Sequence, residues 1–126
     1  MTLGASTSPD RDNGGAPAID RSVLGEWLAG DNAAIDELLV VFRDSVRAEF
    51  VRMRDLLALG DLEEFANATH RLRGAALSMG ARALAEYAGL LFSAARSQDA
   101  SACANGMPGL EAHIQLMVAE VPTGLP

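Results

Sequence analysis

A chain of 126 residues, 49% apolar and 21% charged, is long enough for one globular domain with a real core and is neither fibrous nor disordered throughout. Its net charge of -7 leaves no basic surplus to displace counterions from a phosphate backbone, which argues against nucleic-acid binding. Lysine is absent, so a phosphate loop ending in Gly-Lys-Ser/Thr and a protein-kinase fold, which needs a strand lysine, are both excluded.

Residues 1–18 are rich in Gly, Ser, Thr, Pro, Asp and Asn without apolar period, and read as a disordered arm or linker. Asp20 caps a short helix that runs through Leu28 and ends at Gly30. Asp31 or Asn32 caps a second helix of about 25 residues, in which Ile35, Leu38, Leu39, Phe42, Val46, Phe50, Met53 and Leu57 recur at helical steps up to Gly60. Asp61 caps a third, with Glu63 and Glu64 in the first turn, where the helix dipole favours them. Its inward stripe is Leu62, Phe65, Thr69, Leu72, Ala76 and Met79, and Gly80 ends it with positive φ. A buried Thr69 would need a hydrogen-bond partner. A fourth helix spans Ala81 to Ser97. The fifth, holding Leu110, Ile114, Met117 and Val121, is placed from Pro108 with at most a helical turn before it, since proline suits a first turn and is costly inside a helix.

No alternating strand pattern competes, and aromatics are only 5% while Ala and Leu dominate, which favours helix. The expected fold is all-α: an up-and-down antiparallel four-helix bundle over residues 19–122, with the short first helix as a lid over one end and 123–126 as a tail. Trp27 and Phe42 are expected in the core. The single cysteine, Cys103, forms no internal disulfide and fits a reducing compartment. No stretch approaches the ~20 apolar residues of a membrane helix, and a signal-peptide pattern is missing, so a cytoplasmic protein without a membrane partner is expected. Two histidines and one cysteine make no zinc site without carboxylates. No metal or cofactor of its own is expected.

The informative run is His70-Arg71-Leu72-Arg73-Gly74, followed by Gly80. At about 100° per residue, His70 falls roughly 140° from the centre of the inward stripe and faces out of the bundle. Ala66, Arg73, Gly74 and Leu77, three or four residues away or one turn further on, share its side of the helix. A glycine inside a helix costs about 1 kcal/mol relative to alanine, so Gly74 implies a need for space beside the imidazole. A neutral imidazole, with an ordinary pKa of ~6.5, is a good nucleophile near neutral pH. Phosphoryl transfer asks mainly for positioning and charge neutralisation, which Arg73 can supply. His70 is therefore read as a phosphoryl acceptor through Nε2, with Nδ1 hydrogen-bonded locally, and Arg73 as its charge stabiliser. Ala66, Arg71, Gly74 and Leu77 are read as the surrounding docking surface. His113 is read as structural or merely exposed.

The same residues carry a resemblance to histidine-containing phosphotransfer domains, whose pattern is histidine, any residue, Leu, Lys or Arg, Gly, five residues, then Gly. Here it reads His70, Leu72, Arg73, Gly74 and Gly80. The likeness extends more loosely over residues 20–121, through Gly30-Asp31, Ala58-Leu59-Gly60-Asp61, Ala83-Leu84 and Ser97-Gln98-Asp99. Arg73 stands where lysine is usual, keeping charge but changing hydrogen-bond geometry. Thr69 stands where alanine is common.

The resemblance implies a phosphorelay intermediate, not an ATP-dependent kinase: His70 accepts a phosphoryl group from the aspartyl phosphate of a receiver domain and passes it to another receiver. Partners would be receiver domains of response regulators or a hybrid histidine kinase, with Mg²⁺ supplied by the receiver. A complete bundle needs no second copy, so a monomer is expected. The alternative is a non-catalytic helical adaptor or dimerisation module of the same fold. A di-iron bundle enzyme lacks its paired Glu-x-x-His motifs here.

Overall fold

The structure, a computed structural model, describes residues 17–123. The expectation of a disordered arm falls mostly on residues 1–16, and that of a tail on 124–126, and these lie outside the described residues. Five helices follow in order: α1 (Arg21–Trp27), α2 (Asn32–Leu59), α3 (Leu62–Ser78), α4 (Arg82–Arg96) and α5 (Ala100–Val118).

Four of the five helices begin where an aspartate satisfies an otherwise unpaired backbone N–H. Asp20 accepts from the Ser22 amide, Asp31 from Ala34, Asp61 from Glu64 and Asp99 from Ala102, all at 3.0–3.1 Å. Ser22 also donates its hydroxyl to Asp20 at 2.6 Å, and this bond first, then the amide, holds the Asp20 carboxyl below its ordinary pKa. Left-handed Gly60 stops α2, and left-handed Gly80 follows α3.

With such short turns, successive helices reverse direction. α3 packs most extensively on α4, α4 on α5, and α2 closes the ring against both α3 and α5. The four long helices thus form the expected bundle, and α1 lies against α2. The core runs through Leu39, Met53, Phe65, Leu72, Ala88, Leu110 and Met117. The α3 stripe is inside as its period requires: Phe65, Thr69, Leu72, Ala76 and Met79 are buried. Thr69 satisfies its hydroxyl by donating to the Ala66 carbonyl at 2.7 Å.

Three expectations need correction. α5 starts at Ala100, not Pro108, and Pro108 lies inside it. The carbonyl that proline leaves without an amide belongs to Ala104, an exposed residue open to water. The helix is also held from the side: the Tyr87 hydroxyl donates to the Gly106 carbonyl at 2.9 Å, and the tyrosine ring occupies the space a side chain at Gly109 would need. Cys103 is wholly buried in the turns before Pro108, which anchors them.

Trp27 is 73% exposed instead of buried, whereas Phe42 is in the core. On α1 the inward positions go to Leu24 and Leu28, four residues apart, which leaves Val23 and Trp27 on another side.

Ala18, expected in the arm, is instead tied to the bundle. Glu120 accepts the backbone N–H groups of Ala18 and Ile19 at 2.6 and 2.9 Å, and Ile19 is buried. The Asp20 amide then donates to the Gly80 carbonyl at 2.8 Å, so the entering chain bridges the end of α5 and the α3–α4 turn. The Asp20 carbonyl lies where a Cβ at Gly80 would sit, a second reason, beyond φ +77°, for glycine there.

Candidate functional site

The site lies along the seam between antiparallel α3 and α4. Going down α3 and up α4, His70 meets Phe92, with ring centroids 5.5 Å apart and planes tilted by 43°. One turn along, Arg73 lies across Gly89, and a further turn brings Leu77 alongside Ala85 and Glu86. In the other direction Ala66 adjoins Ala95 and Arg96.

His70 is exposed on the outer side of α3, as its helical phase requires. Among the described residues neither of its ring nitrogens has a hydrogen-bond partner, so the local bond expected at Nδ1 is not made. Its aromatic neighbour is Phe92, which carries no conventional hydrogen-bond acceptor. Gly74 is exposed, and a Cβ built on it would meet nothing within 4 Å, so the surface beside the imidazole is open.

Arg73 and Arg71 take opposite directions. Arg71 turns toward α2 and pairs with Glu49 at 3.4 Å. Arg73 turns toward α4, where its Nε and Cδ would be 3.4 and 3.5 Å from a Cβ at Gly89. Among the described residues Arg73 has no carboxylate within ion-pair distance, while Arg21, Arg43, Arg52 and Arg71 each have one. It is a guanidinium one helical turn from an exposed imidazole, and its donors have no partner among the described residues.

The four residues expected around His70 differ in exposure. Arg71, Gly74 and Leu77 are exposed, Leu77 to 48%. Ala66 is buried, at 4% exposure: its short methyl lies low on the side of α3 that faces α4, near Ala95 and Arg96.

Sequence reasoning missed the α4 contribution. Phe92 touches His70, the Arg96 guanidinium carbon lies 5.9 Å from the Phe92 ring centroid, and Gly89 accommodates Arg73. Leu90, 67% exposed, joins Leu77 and Val23 beside Arg73 in a shallow open groove. The detectable signal is Gly89, a mid-helix glycine without a turn to explain it.

His113 lies apart on α5. Its Nδ1 is 2.9 Å from the Gly109 carbonyl and its ring stacks on Tyr87 at 4.8 Å. A carbonyl only accepts, so Nδ1 donates, and the ring serves to join α5 to α4.

The family model of the Hpt domain matches residues 37–123, which includes α3, α4 and α5 and most of α2. The chain belongs to the Hpt domain family. Hpt domains are histidine phosphotransfer modules of two-component phosphorelays, act with receiver domains, and have no autonomous kinase activity. No curated protein and no solved structure matches this Hpt chain. None of its described helices is long and apolar enough to cross a membrane.

Proposed function

We propose that His70 is the phosphorylated nucleophile of this Hpt domain, accepting a phosphoryl group from the aspartyl phosphate of one receiver domain and passing it to another. The observation that carries this reading is an exposed imidazole one helical turn from Arg73, a guanidinium without an acidic partner among the described residues. In the forward step Nε2 donates its lone pair to phosphorus as the aspartyl P–O bond breaks. The carboxylate leaves with the bonding electrons, and the proton on Nδ1 stays on the ring or passes to water. Arg73 offsets charge on the phosphoryl oxygens. Mg²⁺ comes from the receiver's acidic pocket.

Gly74 gives the incoming domain room, Leu77 and Leu90 offer it apolar contact beside Arg73, and Arg71 lies at the edge toward α2. Incubation with a phosphorylated receiver should place acid-labile, alkali-stable phosphate on the protein, and His70→Gln should abolish it with helicity intact. Labelling that persists in His70→Gln would remove His70 from the reaction.

A further inference from the structure

A nucleophilic imidazole usually has one nitrogen held by a hydrogen bond that fixes the ring plane and the tautomer. At His70 neither nitrogen has such a partner among the described residues, and the side chain is exposed. Across the seam its ring meets Phe92, with centroids 5.5 Å apart at 43°. Tilted pairs at this separation lie within the favourable range for aromatic contact, and a histidine ring can join them.

Phe92 is itself well anchored. It is half-buried and packs on the core from α4, which restricts its ring. The Arg96 guanidinium also lies over it at 5.9 Å, close enough for a cation–π contact. The rung formed by His70 and Phe92 is thus flanked along the seam by Arg73 with Gly89 on one side and Arg96 with Ala66 on the other.

We propose that Phe92 is the positioning residue of the site: its ring sets the plane of the His70 imidazole by contact and, once the ring carries phosphate, keeps water from one face of the P–N bond. This rests on the reading of His70 as phosphoryl acceptor. Hydrolysis of that bond forms a P–O bond to water and breaks P–N. The electron pair returns to the ring nitrogen, orthophosphate leaves, and the proton from water goes to solvent. An apolar wall on one side removes approach directions for water and leaves the nucleophilic edge open to a receiver.

The test separates this role from the relay itself, because histidine can be loaded chemically. With phosphoramidate as donor, the imidazole nitrogen forms the new P–N bond, the donor's P–N bond breaks, and ammonia leaves. Loss of phosphate from the His70 peptide is then timed for wild type, Phe92→Leu and Phe92→Tyr, with helicity confirming that each is folded. Phe92→Leu keeps apolar bulk but removes the ring, and should shorten the phosphohistidine lifetime several-fold, whereas Phe92→Tyr should match wild type. The ring-current displacement of the His70 imidazole protons should vanish in Phe92→Leu and persist in Phe92→Tyr. A lifetime unchanged in Phe92→Leu, or imidazole resonances that do not move, would overturn the proposal. A His70 that no phosphorylated receiver labels, with these Phe92 effects intact, would instead overturn the phosphotransfer reading and leave the positioning role standing.

Discussion

Arg73 lies across the backbone of Gly89, its Nε 3.4 Å from where a Cβ on that glycine would stand. The bare backbone of Gly89 leaves Arg73 room to reach across toward α4. At 3.4 Å a methyl group is in ordinary contact, but a longer side chain occupies the space Arg73 uses. Gly89→Ala should therefore transfer phosphate normally and raise stability by up to about 1 kcal/mol, the helix-propensity gain over glycine. Gly89→Leu should displace Arg73 and slow transfer as Arg73→Ala does. Thermal unfolding and a receiver phosphotransfer assay on the two variants check both halves, and normal transfer by Gly89→Leu would show that the resting place of Arg73 is immaterial.

The two arginines that bracket Leu72 should behave differently. Arg71 is engaged with Glu49 in an exposed pair at 3.4 Å, a kind of contact worth about 0–1 kcal/mol. Arg73 is unpaired among the described residues and one turn from the imidazole. Arg73→Ala should lower the transfer rate on the order of tenfold or more, as removal of a charge-stabilising donor does, with little change in unfolding. Arg71→Ala should change transfer less. Equal losses in the two variants would shift the role of Arg73 from the phosphoryl group to general attraction of the receiver.

Gly74 offers a third comparison, of stability against docking. No atom lies within 4 Å of a Cβ built there, so nothing in the domain itself forbids a side chain. Gly74→Leu should stabilise the helix by roughly 0.5–1 kcal/mol and still obstruct transfer, because the added bulk stands beside His70 where the receiver must approach. Titration of the variant with a receiver domain should show weakened binding alongside a raised melting temperature. Full transfer activity would mean that the space above Gly74 is not used.

What the sequence reveals here is what depends on one helix at a time. The outward phase of His70 and Gly74, the inward stripe from Phe65 to Met79, and the aspartate caps all follow from spacing along a single segment. Phe92, Arg96, Gly89 and Leu90 enter the site only through the register of α3 against α4, which no local period encodes. Ala66 shows the same limit: its angle on the helix is close to that of His70, but whether a methyl there is seen depends on what α4 lays beside it. Pro108 misleads for a related reason. Local propensity ends a helix at proline, but burial of Cys103 and Met107 and the Tyr87 bond to Gly106 keep the preceding turns helical. Trp27 stays outside because α1 has only a narrow inward side, and Leu24 and Leu28 fill it.

Cys103 gives a prediction about pH and not about transfer. The thiol is fully buried in α5, and desolvation, reinforced by the nearby Asp99 carboxylate, pushes its pKa up. In the unfolded chain the thiol has an ordinary pKa of ~8.5. The folded state therefore keeps a proton that the unfolded state releases. The contribution to stability is fully present below the unfolded pKa and is lost as pH rises from there through the raised folded value. Comparison of wild type with Cys103→Ala in denaturant titrations from neutral to alkaline pH should show wild type losing stability relative to the variant only on the alkaline side. In native buffer the thiol should resist alkylation and become reactive when the bundle unfolds. Rapid alkylation of the folded protein at neutral pH would contradict the burial of Cys103 and with it the helical packing of α5 ahead of Pro108.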